Sequence, residues 1–188
     1  IMLSGNTDCY QPIERKLKIT RELLKMCLKY KHPVSIITKN ALIQRDIDLL
    51  IPLAKLNLVH VSLSITSFDN KLRSLLEPRT ASVQKKLETL ELLSANNIPV
   101  NVMVAPIIPG LNSHEIPNIV KKVAASGALS VGYTTVRLNG EIAEIFEDRL
   151  RKTYPERADK VLNQIKEINN GSLESKGKNR LKLHGETA

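Results

Sequence analysis

Tryptophan is absent from this chain, and only six aromatic residues, four Tyr and two Phe, are spread over its 188 positions. So sparse a set offers no obvious platform for stacking flipped or single-stranded bases. Cysteine is almost as scarce. Cys9 and Cys27 cannot build a disulfide framework, a helix is expected between them, and both are read as free thiols of a reducing compartment. The apolar runs fall short of the roughly 18 residues that a membrane span requires. No charged-then-apolar leader is visible either. The expectation is a soluble, cytoplasmic protein with no membrane partner. Acidic residues are in deficit, 19 Asp and Glu against 28 Lys and Arg, for a formal charge of +9. That excess permits a nucleic-acid or phosphorylated partner without requiring one.

What is present points to a folded domain. A hydrophobic content of 42% over this length is enough for one sizeable core. Residues 1–170 are read as one domain and residues 171–188 as a basic, flexible tail. In that tail Lys176, Lys178, Arg180 and Lys182 lie among Gly, Asn and Ser, as a solvated segment or a nucleic-acid contact would. The opening Ile1-Met2-Leu3-Ser4-Gly5 reads as a strand already running into a glycine turn, so further chain is expected before it.

Short β-rich runs alternate with stretches of helical period, the pattern of repeated βα units and a parallel sheet. Strands are predicted at 1–4, 34–38, 58–65, 98–105 and 129–138. Helices are predicted at 12–30, 44–56, 81–95 and 113–126, with Ser113 as a cap and Gly127 as a stop. Two more helices are predicted within 140–169, broken near Tyr154-Pro155. Right-handed crossovers would wind these units into one α/β sheet. In the strand at 58–65, Val59, Val61, Leu63 and Ile65 alternate with His60, Ser62 and Ser64, and Val100, Val102 and Val104 alternate with Asn101, Met103 and Ala105. Helices would cover the valine face. The polar face would line a lumen holding water or a cofactor, or would be the wet side of an edge strand; a closed eight-stranded barrel fills its centre with apolar side chains instead.

Reactive groups of parallel β/α folds collect beyond the carboxyl ends of strands. Here those ends carry Thr7-Asp8-Cys9-Tyr10-Gln11-Pro12, Thr38-Lys39-Asn40, Ser64-Ile65-Thr66, Val104-Ala105-Pro106-Ile107-Ile108-Pro109-Gly110 and Arg137-Leu138-Asn139-Gly140, with Glu77-Pro78-Arg79-Thr80 between two units. The Thr7, Thr38, Glu77 and Val104 blocks, in that order, resemble successive blocks of radical S-adenosylmethionine (radical SAM) proteins of the spore-photoproduct-lyase-like group. The resemblance covers roughly residues 1–170. It implies a partial parallel (β/α) TIM-like barrel, of which this chain would supply about strands 2 to 6 with their helices, plus C-terminal helices. The family's first βα unit carries a Cys-x3-Cys-x2-Cys loop that ligates a 4Fe-4S iron-sulfur cluster. No such spacing occurs here, so no metal ligand is assigned and the cluster loop would precede Ile1 in an intact protein.

The resemblance implies that Thr7, Asp8, Lys39 and Ser64 approach S-adenosylmethionine from adjacent strand ends, with Arg79, Met103, Ala105 and Pro106 completing the cofactor-binding set. The chemistry required agrees: a cation for the methionyl carboxylate, hydroxyl or carboxylate acceptors for the ribose, and apolar or backbone contacts for the base. Each residue also has a plainer reading. Lys39 is then a solvated loop lysine, Ser62 and Ser64 bond local backbone, Thr7 and Asp8 shape a turn or cap the helix near Pro12, and Arg79 forms a salt bridge with Glu77 or a neighbouring helix. Pro106, Pro109 and Gly110 shape a loop. The resemblance departs at one point. Spore photoproduct lyase has a hydrogen-donating cysteine where this chain has Gly5 or Asn6, so the substrate, DNA-repair-like or otherwise, and the catalytic residues are left unassigned.

The expected activity of the intact protein is reductive cleavage of S-adenosylmethionine at the cluster, giving a 5′-deoxyadenosyl radical that acts on an unknown substrate, with flavodoxin or ferredoxin as electron donor. The chain alone is expected to be inactive. Two alternatives stay open: a Schiff-base lyase using Lys39, and a basic nucleic-acid-binding module without catalysis.

Overall fold

The computed structural model describes residues 1–174; the cationic cluster from Lys176 to Lys182 lies outside them. Five strands, β1 (Met2–Leu3), β2 (Val34–Thr38), β3 (Val59–Ser64), β4 (Val100–Ile107) and β5 (Val131–Thr135), form one sheet in sequential order. Pairing from β1 to β4 is parallel, with Leu3 opposite Ile36, Ile36 opposite Val61, and Val61 opposite Val100. At the β4–β5 edge, the N–H of Leu129 donates to the Val100 carbonyl and that of Val102 to the Ser130 carbonyl. The fold is therefore α/β with a parallel sheet, consistent with a partial TIM-like barrel.

Eight α-helices lie between and after the strands among the described residues: α1 (Glu14–Leu17), α2 (Ile19–Lys29), α3 (Ile47–Lys55), α4 (Asn70–Leu76), α5 (Val83–Ala95), α6 (Ile116–Ala125), α7 (Glu141–Thr153) and α8 (Pro155–Ile168). The helix expected over 12–30 is broken. Lys18 takes a left-handed conformation with φ of 55°, and the Glu14 carboxylate accepts the N–H groups of Ile19 and Thr20, both at 3.0 Å, so a fresh helix starts at Ile19. The turn before α3 is a 3-10 helix, Ala41–Asp46. Ser113 does not cap: it begins a short 3-10 turn and its hydroxyl accepts from the N–H of Gly110. Helix α4 was not expected; Asp69 starts it by accepting from the N–H groups of Lys71 and Leu72.

The described residues form two compact units, one of residues 1–104 with 117–132, the other of residues 105–116 with 133–174. In the first, the alternation along the strands governs burial. Val34, Ile36, Val59, Val61, Leu63, Val100 and Val102 are buried under helices, with Leu24, Leu50, Leu53, Leu90 and Leu93 facing them from the helical layer. Ser35, Ile37, His60, Ser62, Asn101 and Met103 on the other face are half-buried. The register sets them in rows, His60 beside Ser35 and Ser62 between Ile37 and Asn101. In the second unit, α8 buries Ala158, Val161, Leu162, Ile165 and Ile168. The Asn112 side chain fixes the turn after β4, accepting from the N–H of Ile108 and donating to the Pro106 carbonyl.

Candidate functional site

The carboxyl ends of β1, β2 and β3 meet in a network of charged side chains within the first unit. Asp8, in the loop after β1, accepts at Oδ1 from the Tyr10 N–H (2.9 Å) and the Thr38 hydroxyl (2.8 Å), and at Oδ2 from the Lys39 N–H (2.8 Å). It both forms the local turn and buckles the β1 loop to the end of β2. Three protein donors already engage its carboxylate, so in this arrangement Asp8 positions Lys39. Thr7 beside it is exposed.

Lys39 leaves β2 with its side chain 34% exposed, and its ammonium donates to Glu77 Oε1 at 2.5 Å. The same oxygen accepts from the Thr66 hydroxyl at 2.8 Å, just beyond β3. Glu77 is only 8% exposed, and its other oxygen faces the ammonium of Lys86 from α5 at 3.6 Å. Burial holds the Lys86 amine down to a pKa of about 8; Glu77 raises it, and the like charges of Lys39 and Arg73 lower it further. Ser64, the last residue of β3, is buried near this group of strand ends.

Glu77 is thus engaged by Lys39, Lys86 and Thr66, and of the plainer alternatives for Arg79 the ion pair with Glu77 is not formed. Arg79 is exposed and lines a separate cleft of about 510 Å³ with Pro12, Arg15, Asn40, Lys85 and Glu88. Met103 is half-buried on β4 and packs against Gly132, where a Cβ would lie 2.8 Å from its sulfur. Ala105 and Pro106, half-buried at the end of β4, belong to the second unit. Arg137 is exposed.

Lys86 was not singled out from sequence, and Thr66 and Glu77 were noted only as parts of blocks. A signal for Lys86 does exist. It occupies one slot of the apolar stripe Val83, Leu87, Leu90 and Leu93 of α5, where a charge must find a partner or remain uncompensated.

Behind the rim a second ionic group stiffens the β1 and β2 loops. Arg45 forks onto its neighbour Asp46, donates to the carboxylate and carbonyl of Glu14, and lies 6.0 Å over the ring of buried Tyr10. Arg21 bridges Asp46 and Asp48, and that contact holds the Asp48 carboxyl below its usual range. Burial, with the charge of Asp46, pushes the Tyr10 hydroxyl far above the ordinary phenol range.

The two cysteines are free. Burial raises the Cys9 thiol to about 11, opposed by its bond with Ser4, so it is a poor source of thiolate. No cluster of three or more His, Cys, Asp or Glu suited to a metal occurs among the described residues. An iron–sulfur cluster does not fit what these residues offer. A carboxylate-bearing nucleoside fits better, because Lys39 presents a part-exposed ammonium at a strand end and hydroxyl groups lie close by.

A sequential parallel α/β sheet with its ionic groups gathered at the strand ends defines a class that sequence comparison makes specific. Residues 1–123 match the Radical SAM superfamily, and the chain belongs to it. Among its relatives is "Uncharacterized protein MJ0683" of Methanocaldococcus jannaschii, 31% identical over 164 residues, which takes in 87% of this chain and 60% of that protein. "Uncharacterized protein Rv2578c" of Mycobacterium tuberculosis (strain H37Rv) is 28% identical over 158 residues, 83% of this chain and 46% of its own length. The chain thus spans about half the length of these relatives. Among the described residues no helix is long and apolar enough to cross a membrane.

Proposed function

We propose that this chain provides the S-adenosylmethionine pocket of a radical SAM enzyme of the spore-photoproduct-lyase-like group, whose longer form holds its 4Fe-4S cluster on residues outside the chain. Membership of the superfamily, with about half the length of its relatives covered, supports that reading. The observation that carries the pocket is Lys39, a part-exposed ammonium at the end of β2 already bound to a carboxylate. A ligand carboxylate would meet the same donor.

S-adenosylmethionine, on accepting one electron, supplies methionine and a 5′-deoxyadenosyl radical able to take hydrogen from a substrate. The chain's own residues bind and orient. Lys39 anchors the methionyl carboxylate, Asp8 holds Lys39 in register, Ser64 and the half-buried face of β3 and β4 contact the nucleoside, and the apolar layer beneath keeps the strand ends rigid. The Schiff-base alternative is less well supported, because Lys39 is engaged as a charge partner of Glu77, whereas a nucleophilic lysine needs a free amine. The electron donor would be a flavodoxin or ferredoxin.

Anaerobic turnover of the full-length, iron-reconstituted protein with S-adenosylmethionine and dithionite tests the reading. 5′-Deoxyadenosine is expected from the cluster-loaded protein, falling about 100-fold in Lys39→Ala, the loss of a charge-assisted anchor and its orientation. Release of 5′-deoxyadenosine at an unchanged rate by Lys39→Ala would remove Lys39 from the pocket.

A further inference from the structure

Glu77 serves two lysines, and the three groups differ in access to solvent. Lys39 is 34% exposed, Glu77 8% and Lys86 1%. Glu77 Oε1 is saturated by Lys39 and Thr66. Its Oε2 is buried without a hydrogen bond, and the Lys86 ammonium waits 3.6 Å away, just beyond hydrogen-bonding distance. Arg73, the other cation near Lys86, is tied to the carbonyls of Glu77 and Thr80 and to Asn70.

Removing Lys39 from this group has a definite cost. A carboxylate as buried as Glu77, left with a hydroxyl alone, is heavily destabilised, because desolvation is no longer offset by a charge. Lys86 can supply that offset by closing a few tenths of an ångström. An incoming ligand reaches Lys39 from solvent but does not reach Lys86, so exchange at Lys39 leaves the inner pair intact.

We propose that Glu77 is a placeholder for the carboxylate of the incoming ligand: it holds Lys39 while the site is empty and passes to Lys86 when the ligand claims Lys39. Lys86 is then a positioning residue that acts through Glu77, and the proposal rests on the reading of Lys39 as the carboxylate anchor. The charged groups facing Lys86 are Glu77 and Arg73 from α4 and its end and Lys39 beyond β2, while Thr66 beyond β3 bonds Glu77. Departure of Lys39 removes a like charge and tightens the bond to Glu77. Both effects raise the Lys86 pKa from about 8, so ligand binding near pH 9 should draw in a proton.

Calorimetric titration of the full-length, cluster-loaded, oxidised protein with two probes separates the possibilities. S-adenosylhomocysteine carries the carboxylate; 5′-methylthioadenosine keeps the nucleoside and sulfur without it. Lys86→Met is expected to weaken S-adenosylhomocysteine about tenfold or more while leaving 5′-methylthioadenosine within about twofold, since an uncompensated Glu77 arises only when Lys39 departs. Lys86→Arg restores binding. In a Glu77→Gln background the Lys86→Met penalty disappears. Proton uptake near pH 9, read from buffers of different ionisation enthalpy, is present in the wild type and absent in Lys86→Met. Equal weakening of both probes, or unchanged binding of S-adenosylhomocysteine, overturns the hand-over. If Lys39→Ala leaves the preference for S-adenosylhomocysteine intact, the anchor itself is wrong and the hand-over falls with it; if Lys39→Ala abolishes that preference while Lys86→Met does nothing, only the hand-over falls.

Discussion

Lys86 carries its own signature in the pH dependence of stability. Its amine sits at a pKa of about 8 in the fold against an ordinary 10.5, chiefly because burial disfavours the charged form. Between those values the unfolded chain binds more protons than the folded one, so stability rises with pH across that window. Below about pH 8 both states are protonated, and the cost of burying the charge is borne in full. The stability difference between wild type and Lys86→Met isolates this group, because every other ionisable side chain is common to both proteins. That difference should move in favour of the wild type by about 2 kcal/mol between pH 7 and pH 9.5. Urea unfolding at the two pH values reads it, and a pH-independent difference would mean that Lys86 is not depressed in the fold. At this scale the sequence was partly legible. Lys39 is visible because strand ends collect function, whereas Glu77, distant in sequence and beyond an unrecognised helix, becomes its partner only once the residue after α4 meets the residue after β2.

Among the elements, the break between α1 and α2 departs most from the periodicity. Apolar spacing continues through residues 12–30, and nothing in it marks Lys18. The break is created by a side chain, since Glu14 offers its carboxylate to the N–H groups of Ile19 and Thr20 and to Arg45 at once. Glu14→Ala is expected to cost about 3 kcal/mol, a lost helix cap together with half of a buried ion pair. Glu14→Gln should cost less because it keeps an acceptor for the N–H groups. Lys18→Gly should raise stability by up to about 1 kcal/mol, since glycine adopts the left-handed conformation without a Cβ penalty. Denaturant midpoints at constant slope check all three; a neutral Glu14→Ala would show that α2 starts at Ile19 without help. Helix α4 escaped notice for a different reason. Its seven residues bury only Leu72, too few for a period to emerge, although the Asp69 cap was there to be read. Strand β2 was legible because Pro33 and Lys39-Asn40 bracket five residues, Val34–Thr38, four of which favour β structure.

For the molecule as a whole, parallel pairing follows from alternation, since each strand is followed by helix before the next and parallel neighbours require such crossovers, whereas the sequential strand order does not, because doubly wound sheets alternate in the same way. The metal requirement is where chain and family part. Thiolates stabilise an iron–sulfur cluster, and this chain offers two thiols, Cys9 held up to about 11 and Cys27 buried in α2. The 188-residue chain, purified and reconstituted anaerobically with iron and sulfide, is therefore expected to retain no iron after desalting and to lack the broad visible absorption of a cluster. On the proposed reading, a longer form carrying the cluster loop should retain about four irons per chain under the same treatment, and conversion of that loop's cysteines to alanine should abolish them. Retention of stoichiometric iron by the short chain, lost on Cys9→Ala, would relocate the cluster to the β1 loop and displace the pocket built around Lys39. Retention by neither protein would leave the strand-end site without its source of electrons, and the binding chemistry of Lys39, Glu77 and Lys86 would then belong to a carboxylate ligand that is held and not cleaved.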